Sequence, residues 1–381
     1  MRTIVNIVSE QTLPNYLFVK EMYEQGDNII WILTKDGEKA LKPMKYLEDS
    51  LIKENHKKIL LKEGGEEDVD YMTTLFKKEV LDKVSYLVNL TGGTKLMSLV
   101  VYNFFKENFT DTSFYYMPIG ENKIININDA TIIDIVYKVG VKEYLKLYGL
   151  EGRGTGDTYL DFEEAMFMYE KYKDIQRSDE IIKLRGNEEE LKQLKITDGE
   201  VRRLKRYRNN LSEIAISKLE DKDIIAFLSQ NNLPTKKYGM ISSKDANYLT
   251  GGWFEDFVYY LIKKSINPDD ILHSITILKS GDRQSQNEID VIYTKNNKLY
   301  VIECKTGIPN GEFNNIADKA TAIKSLLGKN VESYFYTYLA NIGTNDNMIQ
   351  QRKEKLNKHG IRYKCKPDID DELNKLNQSS L

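Results

Sequence analysis

The stretch Asn287–Lys305 constrains this chain more than any other. It reads Asn-Glu-Ile-Asp-Val-Ile-Tyr-Thr-Lys, then Asn296-Asn297, then Lys-Leu-Tyr-Val-Ile-Glu-Cys-Lys. Two runs rich in β-branched and aromatic residues flank a pair of asparagines, which tolerate the left-handed backbone that a tight hairpin turn demands. A turn centred there sets Asp290 opposite Glu303 and Glu288 opposite Lys305. The two-residue period of a strand puts these four side chains on one face. Ile289, Val291, Tyr300, Ile302 and Cys304 fall on the other, as a core-facing surface should.

Like charges opposed across a strand pair repel unless something compensates. A divalent cation does so, and Mg²⁺ or Mn²⁺ prefers carboxylate oxygens while keeping several waters. Asp290, Glu303 and Glu288 are therefore candidate metal ligands. Lys305, beside them, would orient or deprotonate a water and neutralise charge developing on a phosphate. Hydrolysis of a phosphodiester is the chemistry these parts suit. A solvated charged strand face is the plainer alternative. Other Glu-x-Lys triplets, such as Glu190-x-Lys192 and Glu220-x-Lys222, sit in charged helical sequence. The triplet at 303–305 differs because it lies on an apolar strand with an aspartate in register across the hairpin.

This segment resembles the restriction-endonuclease-like PD-(D/E)xK superfamily, with Asp290 as its aspartate and Glu303-x-Lys305 as its E-x-K. Ile289 stands where the motif name has proline. The resemblance implies a further catalytic carboxylate at Glu255, in the helix Gly-Gly-Trp-Phe-Glu-Asp-Phe-Val that precedes the core sheet. It also points to Lys319 and Thr321, on the following helix, as substrate-contacting residues.

Upstream, residues 1–147 alternate strands and helices in the manner of a doubly wound parallel sheet. Strands are expected at Thr3–Val8, Ile29–Leu33, Tyr86–Leu90, Phe114–Met117 and Ile124–Ile127. Helices are expected around Leu17–Tyr23 and from Leu96 to about Lys106. From 148 to 245 the sequence opens on a Gly-rich break and becomes highly charged. Helices over 178–195 and 198–230 read as a connector, with Asn-Asn-Leu-Pro234 stopping the second. Residues 246–381 return to α/β: a helix over Trp253–Ser265, strands at Ser274–Leu278, Asn287–Thr294, Leu299–Cys304 and Ser333–Tyr338, and a helix around Ala317–Leu327.

The N-terminal unit has its own candidate site. Asn89-Leu-Thr-Gly-Gly-Thr-Lys95 follows a strand and precedes a helix, so its backbone N–H groups can approach an anion at a helix N-terminus. It matches neither a Walker A loop nor a dinucleotide fingerprint. The first strand also ends in polar residues, Ser9-Glu10-Gln11-Thr12, and ligands of open α/β sheets collect at the carboxyl ends of strands. With Pro118-Ile-Gly120, Thr250-Gly-Gly-Trp-Phe-Glu255 and the hairpin, this order resembles the CARF-domain nucleases of type III CRISPR systems, of the Card and Can type. The resemblance implies a Rossmann-like CARF domain, a helical connector and a C-terminal restriction-endonuclease-like domain. It implies a homodimer that binds a cyclic oligoadenylate, most often cyclic tetra-adenylate, across its two-fold axis. Ligand contacts carry over to Ser9, Gln11, Thr12, Thr91, Gly92, Gly93, Thr94 and Lys95.

The function so implied is a cyclic-oligoadenylate-activated, metal-dependent endonuclease acting on single-stranded DNA and RNA in antiviral defence. Two other readings fit the residues. One is a ligand-responsive regulator that binds DNA through the helices over 178–230, where Arg202-Arg203-Leu-Lys205-Arg206-Tyr-Arg208 is cationic, and cuts nothing. The other is an ungated repair or restriction nuclease. A formal net charge of −3 decides between none of them. Cys304 and Cys365 have no paired zinc or disulfide spacing. The N-terminus lacks the apolar core of a signal peptide, and no apolar run is long enough to span a membrane, so a cytoplasmic protein is expected.

Overall fold

The computed structural model describes residues 2–34, 41–51, 55–80, 84–118, 120–154, 156, 158, 160–175, 214–215, 235–236, 240–241, 248–279, 287–307, 312–328 and 331–379. The N-terminal unit runs β1 (Arg2–Ile7), α1 (Thr12–Met22), β2 (Asn28–Thr34), α2 (Leu41–Ser50), β3 (His56–Leu61), α3 (Val69–Glu79), β4 (Ser85–Asn89), α4 (Lys95–Asn108), β5 (Thr112–Tyr116), β6 (Lys123–Asn126) and β7 (Ile132–Asp134). Its sheet has the order β3-β2-β1-β4-β5-β6-β7. The first five strands in that order are parallel and the last two antiparallel. Strands β1, β2 and β4 are almost wholly buried because helices cover both of their faces. Ile4, Trp31 and Leu87 pack on one side, and Val5, Ile32 and Val88 on the other. Strand order reverses between β1 and β4, which is where an open α/β sheet leaves a crevice at its carboxyl edge.

The start of β1 is held by an ion pair in which the nearly buried Asp27 accepts from Arg2 Nη2 at 2.8 Å and from Glu24 N at 3.0 Å. Burial alone would raise the Asp27 carboxyl, but those donors together hold it below the usual range. A carboxyl depressed in the fold contributes stability above its unfolded pKa and loses it as pH falls through the folded value. An Asp27→Asn variant should therefore cost about 1–3 kcal/mol at neutral pH and less in acid. Urea unfolding at neutral pH and at about pH 3 checks both the size and the sign.

After α5 (Val141–Leu147) comes β8 (Leu150–Arg153), then α6 (Phe162–Ile175). A small antiparallel sheet is formed by β9 (Ile214–Ala215), β10 (Thr235–Lys236) and β11 (Met240–Ile241). The C-terminal unit contains α7 (Trp253–Ser265), β12 (Asp270–Lys279), β13 (Asn287–Lys295), β14 (Lys298–Lys305), α8 (Glu312–Leu327), β15 (Val331–Thr337), α9 (Asp346–Lys358), β16 (Ile361–Lys364) and α10 (Lys366–Ser379). Its sheet has the order β16-β15-β14-β13-β12-β8. Strands β14, β15 and β16 run parallel, while β13, β12 and β8 join antiparallel.

The structure redraws the segment expected to be a helical connector. Its Gly-rich opening forms β8, which pairs with β12 at the edge of the C-terminal sheet. Helix α6 packs Tyr169 and Tyr172 against Phe257 and Trp253 of α7. Ile214–Ala215, inside the stretch expected to be helical, pairs as a strand with Met240–Ile241; pairing there overrides the helical periodicity of the charged residues around it. The remainder of the 178–230 helices, with the Arg202–Arg208 cluster, lies outside the described residues.

The two units share a core. Val8, Leu13 and Leu17 from the N-terminal unit belong to the same buried cluster as Ile292, Leu299, Val301, Ile323 and Leu327 from the C-terminal one. Asn297 and Asp270 add polar ties, accepting from Val139 N at 2.8 Å and Val141 N at 2.7 Å. Cys304 and Cys365 are free and buried. Among the described residues no helix is long and apolar enough to cross a membrane.

Candidate active site and ligand cleft

The hairpin forms in the expected register. Asn296 and Asn297 adopt φ of 49° and 60°, and pairing runs from Lys295–Lys298 back to Val291–Ile302. There the ladder stops, because Asp290 Oδ2 takes the backbone N–H of Cys304 at 2.7 Å. The strands part at the point where Asp290 and Glu303 face each other. Glu288, grouped with the metal ligands by alternation, is exposed and sits opposite Thr276 of β12. Its charge reaches Glu255, but Asp290, Glu303, Lys305 and Lys319 pair with one another without it.

The cluster itself is compact. Lys305 Nζ lies 2.8 Å from Glu303 Oε1 and 3.9 Å from Asp290 Oδ2. From α8, Lys319 Nζ pairs with Glu303 and stands 4.0 Å from Asp290 Oδ1. Thr321 does not join it. Its hydroxyl donates to Ala317 O at 2.8 Å and meets His359 Nδ1 at the same distance, and two residues beyond Lys319 it points away from the side of α8 that faces the site. Glu255, on the first turn of α7, accepts from Ser274 Oγ at 3.1 Å. Ser274 lies between His273 and Ile275, which pair with Val291 and Ile289, so it stands beside Asp290. Its φ of 47° is a left-handed value rare for serine in a strand. No sequence signal marks that position.

Electrostatics follow from burial. Burial, and then the charge of Glu303, pushes the Asp290 carboxyl up to about 6. Burial, and then the charge of Asp290, pushes Glu255 up to about 8. Burial works against the charge on Lys305 and Lys319, yet Asp290 and Glu303 together raise both ammonium groups above their ordinary range. Carboxylates that resist ionisation beside firmly charged lysines form the kind of tuned cluster that marks functional sites.

The donor set suits a hard divalent cation, since Asp290, Glu303 and Glu255 offer only carboxylate oxygens. Among the described residues no three His, Cys, Asp or Glu side chains converge at metal-ligand spacing. The Lys305 and Lys319 ammonium groups stand against those oxygens instead.

The N-terminal loops build a cleft of about 520 Å³ at the β1/β4 switch point. Ser9 and Gln11 line one wall and Thr91, Gly92, Gly93 and Thr94 the other. A buried amide network braces the two loops: Asn89 Nδ2 donates to Asn6 Oδ1 at 2.9 Å and to Asn15 Oδ1 at 3.3 Å. Asn15 Nδ2 donates in turn to Ile7 O at 2.9 Å. Thr91 Oγ1 accepts from Met117 N at 2.9 Å, and Thr94 Oγ1 caps α4 by accepting from Met97 N at 3.2 Å. Thr94→Ala should cost about 1 kcal/mol through the lost cap, read as a lower midpoint in thermal unfolding.

Two expected ligand contacts stand apart from the cleft wall. Thr12 is buried, with its hydroxyl donating to Leu147 O at 2.6 Å, so it ties α1 to α5. Lys95 is exposed on the first turn of α4, outside the lining. The family resemblance carried both over as ligand contacts, and the structure places neither in the cleft lining. Leu147's carbonyl is a long-range partner that no local pattern announces.

Comparison with known proteins gives the same two parts. Residues 3–144 match the family described as the Card1 CARF domain, and residues 243–378 the family described as the Card1-like endonuclease domain. A search of curated proteins finds no match. Among solved structures, protein VC1899 from Vibrio cholerae superposes with a TM-score of 0.75 at 14% identity, covering 99% of this chain and 97% of that one. Can2 from Sulfobacillus thermosulfidooxidans, solved in complex with cyclic tetra-adenylate, gives 0.69 at 18% identity over 100% and 99%. A type III CRISPR defence DNA nuclease activated by cyclic oligoadenylate gives 0.54 at 11% identity, over 94% of this chain and 52% of its own. At such identities the likeness is one of fold.

Proposed function

Because the chain joins a Card1 CARF domain to a Card1-like endonuclease domain, we propose that it is a metal-dependent nuclease of CRISPR antiviral defence, switched on by a cyclic oligoadenylate. The observation that carries the nuclease half of this reading is the pairing of Asp290 and Glu303 with Lys305 and Lys319 at the point where the hairpin ladder opens. Bound Mg²⁺ or Mn²⁺ supplies Lewis-acid charge at the scissile phosphate and a more acidic attacking water. Asp290 and Glu303 would hold it, with Glu255 as the neighbouring carboxylate. Asp290 is oriented by Cys304 N and Glu303 by Lys319. Lys305 directs the water and offsets charge that builds on the phosphate. Single-stranded DNA and RNA are the substrates of this reading.

Cyclic tetra-adenylate is the favoured activator. The cleft is of a size that holds a drug-sized molecule, which suits part of a four-nucleotide ring rather than the whole. Two copies facing each other across a two-fold axis would complete the site. Exposed apolar side chains on and beside β5 to β7, Tyr116, Ile127, Ile132 and Val136, support such a homodimer. Gating requires the ligand to bind the active arrangement more tightly than the inactive one. Removal of metal with a chelator should abolish cutting of labelled single-stranded DNA and RNA, and added Mn²⁺ should restore it. Calorimetry should show cyclic tetra-adenylate binding with one ring per two chains. Cleavage that survives chelation, or no heat of binding, would refute the corresponding half.

A further inference from the structure

The hairpin that bears the carboxylates reaches into the other domain. Its turn, Asn296-Asn297, lines the N-terminal cleft beside Gln11 and the Thr91–Thr94 loop. Asn297 is buried at 3% exposure and its side chain is fully committed across the domain boundary. Its Oδ1 accepts from Val139 N at 2.8 Å, and its Nδ2 donates to Asn122 Oδ1 at 2.7 Å and to Tyr137 O at 2.8 Å. Asn122 follows Gly120 and Glu121, themselves part of the cleft wall. Asn296 is exposed at the cleft, with its backbone N–H on Asp269 at 2.6 Å and its Oδ1 accepting from Lys138 Nζ at 3.2 Å.

From that turn the two strands stay paired without a break to Val291–Ile302, one residue short of Asp290 and Glu303. A paired hairpin of this length is stiff, and one face of it runs from Leu299, Val301 and Ile292 in the shared core to Glu303 and Asp290. Helix α8 makes a second span. It pairs Lys319 with Glu303, and just past its end Gly328 lies so near Gln11 that a Cβ there would sit 2.6 Å from Gln11 Oε1.

We infer that the Asn296-Asn297 turn is where the endonuclease domain reads the cleft: Asn296 contacts the ligand from the endonuclease side, and Asn297 is the positioning residue that fastens the turn to the CARF backbone. Ligand seated on Asn296 then bears on the strands that hold Asp290 and Glu303 within the same chain. This inference rests on cyclic oligoadenylate being the ligand of the cleft, and the wild type tests that reading separately.

The test compares full-length wild type, Asn296→Gly and Asn297→Gly, because glycine keeps the left-handed turn that alanine would strain. Binding of cyclic tetra-adenylate is measured by calorimetry, and cleavage in Mn²⁺ with and without that ligand. Asn296→Gly should weaken binding about tenfold, as for one lost hydrogen bond, and shift the activation midpoint equally while reaching full activation at saturation. Asn297→Gly should cut the ratio of stimulated to unstimulated cleavage at saturating ligand about tenfold or more. Asn297→Asp keeps the acceptor for Val139 N but opposes acceptors to Asn122 and Tyr137, and should lose the ratio likewise, which serves if the glycine variant does not fold. Variants that bind and respond as the wild type does would overturn the inference and leave the gated-nuclease reading intact. A wild type that does not respond would overturn both.

Discussion

Replacing Asp290 by asparagine should lower cleavage about 10³-fold and leave the protein as stable as before or more so. The loss follows because Asp290 is the inner carboxylate of the cluster, and groups that stabilise transition-state charge in a water-poor site are worth rate factors of about 10²–10³ each. The stability follows from the sign of the titration. Burial and Glu303 hold the Asp290 carboxyl up at about 6, above the ordinary range, so its ionised form costs folding energy at neutral pH. Asparagine keeps an oxygen to accept from Cys304 N and removes the buried charge. A rise of about 2–4 °C in melting temperature corresponds to roughly 1 kcal/mol for a domain of about 150–250 residues. Activity and stability moving in opposite directions is the mark of a functional charge cluster. A variant that cuts normally, or that merely unfolds, would show Asp290 to be structural.

Gly92→Ala should have the largest effect on the N-terminal domain. A Cβ at this residue would lie 1.9 Å from Ile7 O and 3.0 Å from Ile7 C, both backbone atoms at the end of β1. That same carbonyl accepts from Asn15, so it cannot yield without loosening the amide network that braces both cleft loops. The expected cost is about 2–4 kcal/mol, with cyclic tetra-adenylate binding reduced about a hundredfold or more as the loops part. Gly307→Ala is the control for melting, since nothing lies within 4 Å of its added Cβ; its effect should stay within about 0.5 kcal/mol. Equal melting of the two variants would mean that the β1–β4 approach is looser than described.

Local period and turn chemistry made the centre of the site readable from the chain. The two asparagines and the apolar alternation on either side were enough to set Asp290 against Glu303, because register in a two-residue hairpin is local. Alternation grouped Glu288 with them, but which charges pair is a tertiary matter: Asp290, Glu303, Lys305 and Lys319 pair with one another without it. Ser274 stayed invisible because a left-handed serine in a strand leaves no pattern. Strand β8 was hidden by its glycine, and it exists because β12 offers an edge to pair with. Helix α9 buries only Leu356 fully, with Ile349 packed beside it, so its apolar stripe is too thin to stand out in the sequence. Strand β3, with exposed lysines at an edge, looks like a loop until β2 pairs with it. The contact between hairpin turn and cleft joins residues far apart in the chain, and nothing in either segment names the other.

The most direct test of the gated-nuclease account is the rate of single-stranded DNA cleavage in saturating Mn²⁺, with and without cyclic tetra-adenylate, for wild type and Glu303→Gln. Ligand addition should raise the wild-type rate about a hundredfold, ~2.7 kcal/mol in activation free energy, with no cleavage in the variant under either condition. Equal rates with and without ligand, or cleavage that persists in Glu303→Gln, would contradict the account.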